Sequence, residues 1–381
     1  MIQDFEHIII GAGGMGSAAA YQLARAGRSV LLLEQFHVGH ARGSSHGQSR
    51  IVRLSYHHPD YVRLAQQAYR LWAELEQDAG EKLLLRTGGL DLSAPRNPIF
   101  EACIASLSAL RIPRDLLTTY DVQRRFPQFR VPDGTLGLYQ ADAGILNPSQ
   151  CVQLLVKRAA DYGAALIEQS PARSIQLLDE GAIIETEATQ YRCRKLIVCA
   201  GPWAGSLLGT LGVQLPLVVT QEQYAIFQPQ TPEKFQPGHF PVFIHYGQPQ
   251  DRQPIDYYGF PICGHTGVKI GEHHAGPSVT ADTRTFEVNQ ERLQRLSDYA
   301  RVTLPDTQGR VLEAATCLYT NTPDQDFIID TLPGYPHVAI AAGFSGHGFK
   351  FSIVVGQILA DLSMSGTTSY PIEMFTLKRF Q

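Results

Sequence analysis

Ile8-Ile9-Ile10-Gly11-Ala12-Gly13-Gly14-Met15-Gly16-Ser17, followed by Val30-Leu31-Leu32-Leu33-Glu34, is the stretch that decides the fold of this 381-residue chain. Two continuous apolar runs of strand length are what parallel strands need when helices cover both faces of their sheet. The Ala-rich segment from Met15 to Ala26, stopped by Gly27, reads as the helix between them. Strand, glycine turn, helix and strand make a βαβ unit. Gly11 permits the tight turn, Gly13 admits a pyrophosphate to the backbone N–H groups, and Gly16 lets the helix pack on the strand. The helix N-terminus then faces the phosphates. Glu34, 18 residues after Gly16, is spaced to accept hydrogen bonds from a ribose hydroxyl. A carboxylate there disfavours a 2′-phosphate, so the pattern implies FAD or NAD rather than NADP. It does not separate FAD from NAD.

Working outward, a hydrophobic content of 44% over this length allows a sizeable core, in two domains or one large α/β unit with insertions. A net charge of −4 and a pI near 6.3 leave no electrostatic footprint for nucleic acid or an anionic membrane. No apolar run approaches the roughly 18–20 residues of a membrane helix, and the start runs into a strand rather than a signal peptide. The expected partners are therefore small molecules and the expected location is cytoplasmic. Six cysteines without a CxxC pair are expected to stay reduced. Cys103, Cys151, Cys193, Cys199 and Cys263 read as small buried apolar residues. The pairs His57-His58 and His273-His274 lack metal-ligand spacing, and no metal is expected.

Residues 59–78 and 149–162 carry apolar residues at helical spacing. Two more buried strands are predicted. One, Lys195 to Ala200, runs into Gly201-Pro202-Trp203; the other, Val338 to Gly343, runs into Phe344-Ser345-Gly346-His347. Both end in glycine at the carboxyl end, where open α/β sheets place ligands, so Gly201, Trp203, Gly346 and His347 are candidate cofactor contacts. Stretches 85–145 and 215–315 are richer in aromatics, Gln and Pro, with strand-like runs at Leu90 to Leu92 and Tyr224 to Phe227. They are expected to form an antiparallel-sheet substrate domain inserted twice into a discontinuous nucleotide domain of residues 1–84, 146–214 and 316–381. Residues 228–236 and 247–254 read as surface loops.

The C-terminal third adds Ala315-Thr316-Cys317-Leu318-Tyr319-Thr320, Asp326-Phe327-Ile328-Ile329-Asp330 and Gly343-Phe344-Ser345-Gly346-His347-Gly348-Phe349-Lys350-Phe351-Ser352. With Gly43-Ser44-Ser45-His46-Gly47-Gln48-Ser49-Arg50-Ile51-Val52-Arg53, Tyr257-Tyr258-Gly259-Phe260-Pro261 and Lys269-Ile270-Gly271-Glu272-His273, the chain closely resembles the monomeric sarcosine oxidase and N-methyltryptophan oxidase family over essentially its whole length. These are FAD-dependent amine oxidases of the D-amino-acid oxidase-like superfamily. The resemblance implies an α/β fold whose Rossmann-like domain binds FAD, held covalently by a thioether from Cys317 to the 8α carbon of the ring. Such a cysteine must react as a thiolate and needs electropositive neighbours to lower its pKa from about 8.5.

The resemblance also implies roles. Arg53 and Lys350 match carboxylate-binding positions, a planar fork beside a point charge. Lys269 matches a lysine near flavin N5 that would stabilise charge as electrons pass to oxygen, and Arg50 a cation near the flavin. His273 matches a histidine beside the substrate amine, Tyr258 and Tyr319 aromatic walls of the pocket, and His274 is read as a bystander. The implied reaction takes a secondary amino acid such as sarcosine and oxygen to an imine and hydrogen peroxide, the imine of an N-methyl substrate then hydrolysing to formaldehyde. N-methyltryptophan, pipecolate and proline present the same carboxylate and amine, and a flavin dehydrogenase is the alternative to an oxidase. A monomer is the family expectation. The ending Met374 to Gln381 looks more like the N-methyltryptophan branch.

Two departures stand out. The family's Gly-Ser-His-His-Gly-Asp-Thr-Arg becomes Gly43-Ser44-Ser45-His46-Gly47-Gln48-Ser49-Arg50, losing a histidine and a carboxylate, and the stretch from Phe243 to Tyr257, with Asp251, Arg252 and Gln253, is longer than in typical sarcosine oxidases. Gly43-Ser44-Ser45-His46-Gly47 also matches the nucleophile elbow of serine hydrolases, but an elbow follows directly from a strand, and here Phe36 to Arg42 intervene.

Overall fold

The computed structural model describes residues 2–247 and 254–380. The opening motif becomes the strand Ile2–Ile10, the helix Gly14–Arg25 and the strand Val30–Leu33. Ile2–Ile10 runs parallel to Val30–Leu33 on one side and to Gln190–Val198 on the other. Ala165–Ile167 and Tyr335–Ala342 extend this parallel row at its two ends. The antiparallel strands Ser174–Leu177, Ala182–Glu185 and Ile328–Leu332 complete an eight-stranded sheet. The period of two sorts its side chains. Ile9, Leu32, Ile197 and Ala339 pack with the helices Gly14–Arg25, Pro148–Asp161 and Ser352–Ser365, whereas Ile8, Leu31, Leu196 and Val338 pack on the other face with Ala182, Ala204 and Leu208.

The predicted strand at Lys195 begins five residues earlier, at Gln190. Gln190, Arg192 and Arg194 face solvent while Tyr191 and Cys193 are buried, so this half reads polar although it is a strand. Helix starts are set by local chemistry. Pro148–Asp161 begins at Asn147-Pro148, where the Asn side chain accepts the Gln150 N–H at 3.1 Å and Pro occupies a first-turn position that needs no donor. The helix Pro59–Ala79 ends at Gly80, in the left-handed region at φ 69°.

A nine-stranded sheet runs Ser278–Val279, Val218–Phe227, Val268–His273, Asp256–Phe260, Val242–His245, Gly89–Ser93, Leu136–Gln140, Asp115–Leu117, with Val311–Asn321 on the free side of Val218–Phe227. It is antiparallel as predicted except at Val242–His245 against Gly89–Ser93, which are parallel because chain from both inserted stretches meets there. Val311–Asn321 is paired along its length, so the expected junction between 315 and 316 falls inside one strand. A third, small sheet joins Arg50–Val52, Gly144–Leu146 and Leu84–Arg86. All six cysteines are free thiols, and Cys263 is half-exposed rather than buried. Among the described residues no helix is long and apolar enough to cross a membrane. Of the two predicted loops, 228–236 contains a short 3-10 turn at Pro232–Phe235, and most of 247–254, with Asp251, Arg252 and Gln253, lies outside the described residues.

Candidate active site

A cavity of about 1150 Å³ reaches from the carboxyl ends of the parallel strands to one face of the nine-stranded sheet. Its nucleotide end is the glycine turn. Gly11 sits at φ 101°, and a Cβ at Gly16 would lie 1.8 Å from the Gly11 carbonyl oxygen, so only glycine lets the helix start this close to the strand. Gly16 lies under the turn; Gly11 and Gly13 line the cavity. First-turn N–H groups of the helix have no partner within it and open on this space. Glu34 accepts the Ala12 and Phe36 N–H groups at 2.8 and 2.9 Å and has His40 at 3.5 Å. Burial pushes its carboxyl up, but these three partners together hold it below its ordinary value. Gly201 and Trp203 line the same end, with the indole of Trp203 donating to Asp282 at 2.9 Å.

The loop 43–50 connects this end to the next. Ser45 Oγ accepts the Gly14 N–H at 3.0 Å, which makes Ser45 a cap on the dinucleotide helix; it lies in irregular chain, not on the strand-to-helix elbow of a hydrolase. Ser44 Oγ donates to the Leu318 carbonyl at 2.8 Å, tying the loop to the strand that carries Cys317. Arg50 folds the loop by donating to the carbonyls of Ser44, His46 and Ser49 at 2.8–2.9 Å. Gln48, where the family has a carboxylate, accepts from Asn147 at 2.9 Å.

Strand alternation builds the wall opposite. Lys269 and His273 face the cavity, and Glu272 turns to the other side, where Arg292 and Arg295 donate to it. Lys269 is buried, donates to Ser49 Oγ at 3.3 Å, and lies 4.1 Å from the centre of the Tyr224 ring. Burial first and Arg50 second bring its pKa down to about 7. Cys317 has the electropositive neighbours expected of it, Arg50, Lys269 and Arg284, but burial outweighs them and the thiol is pushed up, not down.

At the third end Arg53 and Lys350 meet. Lys350 Nζ donates to Tyr56 OH at 2.7 Å and to the His347 carbonyl at 2.9 Å. Arg53 gives Nη1 to Asp91 at 2.6 Å, Ser55 at 3.1 Å and Tyr246 at 3.1 Å, leaving the rest of its fork for a ligand. Burial works against the guanidinium, yet Asp91 carries its pKa well above the ordinary value. His273 Nδ1 lies 3.2 Å from Tyr319 OH, and burial, then His274, His347 and the two cations, hold it neutral far below the usual histidine range. Tyr258, Gly346 and His347 complete this wall; a Cβ at Gly346 would lie 2.2 Å from the Tyr319 ring. His274, read as a bystander, lines the same cavity at φ 54°, because the strand ends at His273 and the chain turns inward.

Every sequence-predicted site residue except Gly16 thus lines one cavity. Asp91, Tyr56 and Tyr246 were not predicted. Asp91 left a signal: an acid flanked by Leu90 and Leu92 inside a fully buried strand needs a cationic partner.

A glycine-turn dinucleotide site opening onto buried cations and a neutral histidine defines a dinucleotide-dependent oxidoreductase. The chain belongs to the FAD dependent oxidoreductase family, whose model matches residues 6–362, and within it to the sarcosine oxidase and N-methyltryptophan oxidase group. It is 36% identical to monomeric sarcosine oxidase of Streptomyces avermitilis over 100% of this chain and 98% of that one. It is 35% identical to N-methyl-L-tryptophan oxidase of Escherichia coli, covering 99% and 100%. The fold matches that of L-proline dehydrogenase from P. horikoshii with a TM-score of 0.86, at 23% identity and coverage of 100% and 98%. The residues present fit FAD. The turn and Glu34 suit its ADP half, and among the described residues His46 Nε2 and His274 Nε2, buried in the cavity wall, have no partner.

Proposed function

We propose that this enzyme oxidises N-methyl amino acids such as sarcosine to the imine, with oxygen as acceptor, and carries FAD covalently on Cys317. What supports the reading is one observation: the cavity that opens at the glycine turn also holds Cys317, Lys269, His273 and the paired cations Arg53 and Lys350. FAD held by the glycine turn, Glu34 and Cys317 would supply the two-electron acceptor for the substrate C–H and the route by which those electrons reach oxygen as hydrogen peroxide. The open part of the Arg53 fork takes the substrate carboxylate, whose negative charge offsets the burial and the Arg53 charge that push the Lys350 pKa well down, so that Lys350 joins as an ammonium. His273, held by Tyr319 and kept neutral by burial, can accept a hydrogen bond from the substrate amine, which gives its proton to solvent on binding and so reaches the neutral form whose lone pair becomes the iminium bond as hydride leaves. Water then hydrolyses the product to formaldehyde and the demethylated amino acid.

A peroxide-coupled assay tests this. Sarcosine is expected to give peroxide and formaldehyde in equal amounts; dye reduction without peroxide would make the protein a dehydrogenase. The covalent link has its own test. Acid-precipitated native protein should give a yellow pellet, and Cys317→Ser a colourless pellet under a yellow supernatant. A yellow Cys317→Ser pellet would move the attachment to another residue.

A further inference from the structure

Past Arg53 the cavity runs on along Tyr246, Cys103, Asn97 and Ile99 to Asp256. Short contacts connect these groups. Tyr246 OH is 3.1 Å from Arg53 and 3.8 Å from Cys103 Sγ, Asn97 donates to the Gly247 carbonyl at 3.2 Å, and the Gly247 N–H donates to Asp256 Oδ1 at 2.8 Å. Asp256 pairs directly with His273 across neighbouring antiparallel strands. Directly opposed residues point to the same face with Cβ atoms about 5 Å apart, so this carboxylate stands beside the histidine assigned to the substrate amine.

The polar groups here are unequal in what they have left to offer. The Asn97 carbonyl oxygen is taken by the Ile99 and Phe100 N–H groups, as the cap of a helix, and Tyr246 OH is engaged by Arg53. Among the described residues Asp256 Oδ2 has no hydrogen bond and no cation forms an ion pair with the carboxylate. The remaining capacity of this arm is an anionic acceptor. Burial pushes the Asp256 carboxyl above its ordinary value, against the Gly247 N–H and the charge of Arg53.

We propose that Asp256 governs a side-chain subsite, and that the preferred substrates are N-methyl amino acids whose side chain ends in a cation or an N–H donor. The inference rests on the assignment of Arg53 and Lys350 to the substrate carboxylate. With the carboxylate held there and the amine beside His273, the side chain is directed along Tyr246 to Asp256. Ile99, which lines the same cavity, is 47% exposed, so this wall reaches solvent. A side chain ending in a carboxylate would meet Asp256 as a like charge.

The test compares matched pairs. In the unmodified holoenzyme kcat/KM for Nα-methyl-L-lysine is expected to exceed that for Nα-methyl-L-norleucine by about 10- to 100-fold, the range of a hydrogen bond to a charged group. Calorimetry should likewise find 6-aminohexanoate bound at least about 10-fold more tightly than hexanoate. In Asp256→Asn, which retains an oxygen for the Gly247 N–H, both preferences should shrink to about 3-fold or less. Equal use of both members by the unmodified enzyme, which needs no variant to measure, would overturn the subsite, as would a preference unchanged in Asp256→Asn. If sarcosine is oxidised while the pair is used equally, only the subsite fails. If no N-methyl amino acid yields peroxide, the functional reading itself fails.

Discussion

Lys269→Met is expected to slow reoxidation of the reduced enzyme by oxygen about 100- to 1000-fold, the scale of removing one preorganised electrostatic group, while slowing reduction by substrate less than about 10-fold. Lys269 is buried beside the rings of Tyr224 and Phe260, and among the described residues its side chain bonds only the Ser49 hydroxyl and forms no ion pair. An ammonium in such a place is costly, which is why its pKa falls to about 7. A desolvated cation without a counter-ion is most stabilised by negative charge that appears beside it, as it does when an electron moves to oxygen. Methionine keeps the length and apolar bulk and removes only the charge. The sign of the pH effect follows: the stabilising form is the protonated one, so the oxygen step should decline as pH rises through this group's pKa, and that limb should vanish in Lys269→Met. Stopped-flow measurement of the two half-reactions separates the outcomes, and equal slowing of both would remove Lys269 from the oxygen step.

Arg53→Met is expected to raise KM for sarcosine by about 100-fold or more, since a fork aimed at a carboxylate in a dry site is worth about 3 kcal/mol or above. It should also destabilise the protein, because Asp91 would be left as a buried charge without its partner, a loss of about 3–5 kcal/mol. Asp91→Asn alone should cost stability for the mirror reason. The double variant Arg53→Met with Asp91→Asn removes both charges and should recover much of the lost stability while KM stays high. Chemical denaturation and steady-state kinetics on the four proteins give the answer. A double variant that regained a low KM would mean that Arg53 does not bind the carboxylate and that its charge serves only the ion pair.

The two kinds of residue in this site left very different traces in the sequence. Gly11, Gly13, Gly16 and Glu34 were readable because their spacing is dictated by one local device, a turn between a strand and a helix, in which Gly16 packs on the Gly11 carbonyl and Glu34 accepts the Ala12 N–H. Lys269, His273, Arg53, Lys350 and Cys317 were reached through motifs of a resembling family, since nothing in their local pattern says that strands separated by tens to hundreds of residues converge. Asp91 and Asp256 were reached by neither route. Each is a single acid in a short strand, and its meaning depends on which residue the fold sets beside it: Arg53 for Asp91 where two sheets pack, His273 for Asp256 through strand register.

The cysteine and the second histidine mark the same divide. An electropositive setting for Cys317 was a sound expectation from its chemistry, and Arg50, Lys269 and Arg284 supply it. Depth decided the net effect, and depth is a property of packing. His274 next to His273 looked like a bystander because strand residues alternate faces, but the strand stops at His273 and the turn at positive φ brings the next ring into the cavity.

What the sequence determined by itself was the βαβ dinucleotide unit, the placing of an acid at the end of its second strand, and the α/β class, because each is encoded in periodicity and spacing over fewer than about forty residues. What only the tertiary structure decided was the substrate end: how much of the Arg53 fork is left once Asp91 has taken its share, which protonation states burial permits, and which carboxylate stands beside His273. Those depend on distances between segments far apart in the chain and on exclusion of water, and neither exists until the two sheets have packed around the cavity.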